Sequence, residues 1–197
     1  MSRRLLYVLG AVAVVVVVIV GLSQTKTDNS PPKPDTFDLA AAKAKLAGAP
    51  APLAALHQQS NQLIAANQKD YDARIAALKG HPIVVNKWAS WCPPCRGEFP
   101  VLQATSTQFG KQVAFLGLDS QDNNHDAATF LSHFPVPYPS FVDRNSRVAQ
   151  KLGIGRTFPT TMYYDAQGKV QYIHQGPYTS DAAFAADIRR YALGRPS

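Results

Sequence analysis

The chain is poor in cysteine, with two in 197 residues, and that scarcity excludes a good deal. Without a second cysteine pair it cannot build a four-cysteine zinc site. Histidines do not complete one either, because His57, His81, His125, His133 and His174 are scattered, with no two separated by three to five residues. No phosphate-binding loop and no G-x-S-x-G elbow appear, and Gly153-Ile154-Gly155 lacks the third glycine of a dinucleotide loop. Nor is there a P-x-x-x-T-x-x-C peroxidase segment. No basic run accounts for the net charge of +7, which is dispersed and includes Arg3 and Arg4. Such a distribution argues against a nucleic-acid partner and assists association with an anionic membrane surface only slightly. Neither a metal nor a small-molecule cofactor is implied.

Charge is also missing from one long stretch. Leu5 to Leu22 carries no ionisable residue apart from Tyr7 and runs through Val14-Val15-Val16-Val17-Val18. As a helix it would span about 27 Å, close to the hydrocarbon thickness of a bilayer. The expectation is a signal-anchor over 5–22 behind a cytoplasmic 1–4, with Arg3 and Arg4 held inside and everything beyond in an extracytoplasmic, disulfide-permissive space. A cleaved signal peptide is the rival, but the run is long for one and Val20-Gly21-Leu22-Ser23 is a poor cleavage site. No cysteine follows, so a lipoprotein anchor is excluded. Residues 23–37 carry Pro31, Pro32 and Pro34 and read as a semi-rigid spacer. Residues 38–79 read as a helical extension: Asp38 caps a first stretch, and Leu53, Leu56, Leu63, Ile64, Tyr71, Ile75 and Leu78 recur at helical spacing.

What the chain does have is concentrated at Trp91-Cys92-Pro93-Pro94-Cys95. If Cys92 opens a helix, residues three apart share a face and the two sulfurs can meet. The helix N-terminus then favours a thiolate at Cys92, making it the nucleophile and Cys95 the resolving thiol. Proline is tolerated in that first turn, where its missing N–H has no helical partner to lose. A purely structural disulfide is the bland alternative, and so short a loop constrains the unfolded chain little.

Around the motif, strands and helices alternate through residues 80–197. Pro82–Asn86 and Val113–Leu118 read as buried strands, with a helix from the motif to about Phe109 and another over Asp126–Phe134. A proline-rich turn and a short helix over Ser146–Leu152 follow. Thr160–Tyr164 and Lys169–Ile173 flank the turn signature Asp165-Ala166-Gln167-Gly168, and Asp181–Leu193 closes the chain as an amphipathic helix. The fold class is therefore α/β, a mixed central sheet flanked by helices.

Gly80 to Pro100, including Trp88-Ala89-Ser90-Trp91-Cys92-Pro93-Pro94-Cys95, closely resembles the thioredoxin superfamily. More narrowly, it is similar to the membrane-anchored TlpA/ResA-like thiol–disulfide oxidoreductases. Phe158-Pro159-Thr160-Thr161 matches the second hallmark of that fold. The resemblance covers about Leu78 to Leu193 and leaves the 38–79 helices unexplained, a region that usually holds strands in relatives. It implies that Cys92 attacks a client disulfide and that Cys95 resolves the mixed disulfide. It implies that Pro159 is a cis-proline whose neighbouring backbone pairs with the client strand, with Trp91, Pro93, Pro94 and Phe158 beside it. Asn86 stands where cytosolic thioredoxins bury an aspartate, so the proton-transfer role passes to Asp122, with Asp119 second. Glu98 reads as a structural helix residue, and Pro100 as a kink.

Lys87 departs from the family, which commonly places phenylalanine there. The expectation is an ammonium that snorkels outward over a packed stem. The alternative is a charge that favours the Cys92 thiolate. By resemblance the substrates are exported proteins with cysteine pairs, apocytochrome c foremost, and the partner is a membrane thiol–disulfide electron donor. An oxidant of secreted proteins and a non-catalytic client-binding module are the rival functions.

Overall fold

A computed structural model describes residues 37–65 and 67–195. The anchor expected over 5–22 lies outside them, as does the spacer up to residue 36. Among the described residues no helix is long and apolar enough to cross a membrane.

Chain order is α1 (Leu39–Leu46), α2 (Ala51–Gln58), β1 (Leu63–Ala65), α3 (Gln68–Ala77), β2 (Ile83–Trp88), α4 (Pro93–Phe109), β3 (Ala114–Ser120) and α5 (Asn124–His133). It continues with β4 (Ser140–Asp143), α6 (Arg147–Lys151), β5 (Thr160–Tyr164), β6 (Val170–Gln175) and α7 (Asp181–Asp187), the last running into a π-helical turn over Ile188–Ala192. The six strands form one mixed sheet in the order β1-β4-β3-β2-β5-β6. Pairs from β1 to β2 are parallel, and β5 and β6 are antiparallel. A mixed sheet is what the alternation of elements implied, but two of its six strands, β1 and β4, lie where none was expected.

Every residue of β2 and β3 is buried, as central strands covered on both faces must be. Alternate residues of β2 then serve two cores. Val84 and Trp88 join Phe99, Leu102, Phe130 and Phe184 on the face covered by α4, α5 and α7. Ile83 and Val85 join Leu53, Leu56, Tyr71, Val148 and Phe141 on the face covered by α2, α3 and α6. One glycine is required by close approach. A Cβ on Gly117 would lie 2.0 Å from Ser140 Oγ and 2.9 Å from Trp88 Nε1, the pair that hydrogen-bonds across β3 at 3.2 Å.

The segment expected to be wholly helical, 38–79, needs correcting. It contains β1, which pairs in parallel with β4 at the sheet edge. The chain turns into that strand at Asn61, which has a positive φ and whose side chain bonds the Val136 N–H and the Leu131 carbonyl. It leaves through Asn67, whose side chain and that of Asp70 form a reciprocal cap on α3. Leu63 and Ile64 fit a helical period, yet three residues that gain a long-range ladder escape any local pattern. Tyr71 and Leu78 pack into the same core as Ile83, and the Tyr71 and Tyr164 hydroxyls meet at 2.9 Å. Strand β4 is likewise hidden in what reads as a proline-rich turn.

Candidate active site at the N-terminus of α4

Strand β2 ends at Trp88, and the chain reaches α4 through Ala89-Ser90-Trp91. Cys92 occupies the N-cap, with φ −93° and ψ 104°, and Pro93 and Pro94 follow in the first turn. The sulfurs of Cys92 and Cys95 are bonded, with the two Cα atoms 5.3 Å apart. The Cys95 N–H points at Cys92 Sγ from 3.1 Å, one of the unpaired amides a helix start presents. Such an amide, with the helix dipole behind it, stabilises a thiolate at Cys92 once the disulfide opens. Cys95 is fully buried and Cys92 nearly so.

The elements around the pair bring the other expected residues to it. Trp91 is exposed, as are Pro93 and Pro94, and its indole N–H donates to the Gln121 carbonyl at 2.8 Å. Its ring lies 4.9 Å from that of Phe158. The Phe158–Pro159 bond is cis, and β5 begins directly after it, beside β2. Trp91, Phe158 and Pro159 thus form one rim. On the other side an open groove of about 550 Å³ runs between α4 and α5, lined by Ser90, Arg96, Phe130, His133 and Phe134 as well as Trp91.

Several carboxyl groups lie near this end of the sheet, Asp143 at the end of β4 among them, and the environments of Asp122, Asp119 and Glu98 differ. Asp122 is buried and fully engaged: Oδ2 accepts the Ser90 N–H at 2.5 Å, while Oδ1 accepts the Ser90 hydroxyl at 2.9 Å and the Asn123 N–H at 2.8 Å. It ties the loop before the cysteines to the end of β3. Asp119 has neither oxygen hydrogen-bonded, and burial, reinforced by the charges of Asp122 and Asp143, pushes it up to about 8. Glu98 is the third. Its Oε2 accepts from Asn86 Nδ2 at 3.0 Å and its Oε1 from the Tyr178 N–H at 3.0 Å, yet burial outweighs both bonds and raises it to about 7.

Glu98 is therefore more than the helix residue the sequence implied. It lies one helical turn beyond Cys95, and the buried stripe Cys95, Glu98, Phe99, Leu102 places it on the same face of α4 as the resolving sulfur. A glutamate on an otherwise apolar stripe was the available signal. The loop that closes over it, held by Tyr178, comes from 80 residues away and left no local trace. Asn86 passes its amide on to Thr161 Oγ1 at 3.1 Å as well, so the non-titrating residue before the motif orients Glu98 instead of replacing it.

Lys87 also differs from expectation. It does not snorkel: it is 0% exposed, and its Nζ donates to the Ile154 carbonyl at 2.5 Å and stands 3.8 Å from the Phe158 ring centroid. Strand alternation puts it on the face away from Glu98, because a residue in the middle strand of a sheet has no edge over which to reach water.

Comparison with known proteins identifies the family. The Redoxin family profile matches residues 46–188. The thiol:disulfide interchange protein DsbE of Tatumella citrea is 31% identical over 137 residues, 69% of each chain. The thiol-disulfide oxidoreductase ResA of Geobacillus thermodenitrificans is 29% identical over 109 residues, 55% of this chain and 62% of that one. Among solved structures, the thiol:disulfide interchange protein DsbE of Chlorobium tepidum superposes with a TM-score of 0.54 at 25% identity, covering 59% of this chain and 84% of that one. A DsbF homologue of Corynebacterium diphtheriae gives 0.52 at 27% identity, covering 56% and 73%. A cysteine pair at a helix start, facing a proline loop in a mixed sheet, has these proteins as its relatives: the chain belongs to the Redoxin family, among the thioredoxin-fold thiol–disulfide oxidoreductases.

Proposed function

We propose that this protein reduces disulfides in exported proteins on the outer side of the cytoplasmic membrane, tethered there by residues 5–22. The observation that carries the reading is the Cys92–Cys95 pair at the start of α4, with a carboxyl group titrating near neutrality one turn beyond it. In the reduced state the Cys92 thiolate attacks a client disulfide, forming a mixed disulfide and expelling one client thiolate. Glu98 takes the proton of the Cys95 thiol, and the Cys95 thiolate attacks Cys92 Sγ. The client leaves as a dithiol and the Cys92–Cys95 disulfide re-forms, two electrons having passed to the client. A membrane dithiol donor then restores the reduced pair. Apocytochrome c, whose haem-attachment thiols must be reduced, is the foremost substrate class, on the TlpA/ResA-like resemblance.

The test is the reduction potential of the pair in the full chain, by equilibration with dithiothreitol and glutathione. A value near that of thioredoxin, about −270 mV, supports the reductant; a value near about −120 mV makes the protein an oxidant of secreted proteins. Cys92→Ser should abolish exchange entirely, whereas a non-catalytic client-binding module would keep its cellular function without the sulfur.

A further inference from the structure

Lys87 is a buried cation that the exchange chemistry does not use. An ammonium without solvent is costly unless the protein replaces its hydration. Its two partners both belong to the segment leading into Pro159: the Ile154 carbonyl at 2.5 Å and the face of Phe158 at 3.8 Å. They bracket Gly155-Arg156-Thr157, a stretch that belongs to no helix or strand. Phe158 in turn packs against the exposed Trp91 at 4.9 Å. A continuous line thus runs from the interior of β2, through one aromatic ring, to the rim beside Cys92.

We infer that Lys87 is a positioning residue for client binding, pinning the Ile154–Phe158 segment to β2 and so fixing the Phe158–Trp91 rim against which a client strand lies. The inference rests on the disulfide-exchange reading. It explains why a cation stands where an apolar residue would pack as well. An apolar side chain would fill the volume, but it would hold neither the carbonyl nor the ring in place. Desolvated cation–π contacts are stronger than exposed ones, and here the cation is fully buried and the ring half-buried. Burial also draws the ammonium down to about 8, partly restored by the charge of Asp143 at the end of β4. Its register neighbours Leu118 and Thr160 carry no charge. The pin therefore loosens as pH rises through about 8.

The experiment uses the full chain and an oxidised peptide carrying one cysteine pair, with KM and kcat measured between about pH 7 and pH 9. Lys87→Met, which keeps length and apolar volume, should raise KM at pH 7 about thirtyfold, the size of one desolvated cation–π contact, and change kcat by less than about twofold. Wild-type KM should climb toward the variant's value by about pH 9, while that of Lys87→Met stays level. Should Lys87→Met not fold, Phe158→Leu removes the other half of the contact and should raise KM alike. Unchanged KM in whichever variant folds, or a fall in kcat at constant KM, overturns the inference. A wild-type chain that exchanges no disulfide with the peptide overturns the functional reading beneath it instead.

Discussion

Asn86 and Lys87 are neighbours in β2, both buried, and they face opposite sides of the sheet. On the side of Asn86, polar groups are linked in sequence: the Asn86 amide donates to Glu98 and Thr161, and Glu98 accepts the Tyr178 N–H, while Asn86 Oδ1 stays without a partner. On the side of Lys87, a lone ammonium has a carbonyl and a ring face. One side holds a carboxyl group raised to about 7 on the same helix face as Cys95. The other holds a cation under the loop that frames the rim. The two groups are displaced in opposite directions by the same cause, because burial disfavours the charged form of acid and base alike.

The sharpest way to separate the two sides is Glu98→Gln. It keeps the shape and an acceptor for Tyr178 but cannot titrate, so the resolving step should slow by about 100-fold at pH 7, and the limb of the pH–rate profile near 7 should vanish. If both persist, the titrating group lies elsewhere and the contrast between the sides is only structural.

Stability against pH provides the next test, by urea unfolding of the oxidised chain. Glu98 and Asp119 have folded pKa values raised above their ordinary ones, to about 7 and about 8, so the folded state holds more protons than the unfolded one over that window. Their contribution is present at low pH and lost as pH rises from about 4 through about 8. Lys87 has the opposite sign: its folded value is lowered to about 8, so the unfolded state holds the extra proton above that pH and stability recovers toward about pH 10. Asp119→Asn should flatten the falling limb by on the order of 5 kcal/mol, and Lys87→Met should remove the rising one.

The smallest effect belongs to Asp122→Asn. Because both Asp122 oxygens are occupied by Ser90 and Asn123, the change should slow exchange less than about threefold and leave the pH profile in place. A shifted profile would return the proton-transfer role to Asp122.

Much of the fold and of the site is legible in the residues alone. The cysteine pair, the prolines in the first turn, the alternation of buried strands with amphipathic helices and the Phe158-Pro159 segment are local signals, and each lies where the chain pattern places it. Strand β1 is not legible, because Leu63-Ile64-Ala65 is too short to show a period and owes its conformation to Ser140, Phe141 and Val142 across the ladder. The expected fate of Lys87 fails for a related reason. A lysine snorkels only where solvent is within reach of its stem, and reach depends on where the strand falls in the sheet, with β3 on one side and β5 on the other.

The sequence by itself determined where the two sulfurs stand, because a pair three residues apart at a helix start can close on itself whatever surrounds it. Only the tertiary structure showed which carboxyl groups lie buried near them and what Lys87 touches. Proton affinity is set by desolvation and by partners up to 80 residues distant, and those exist only once the chain has folded around them.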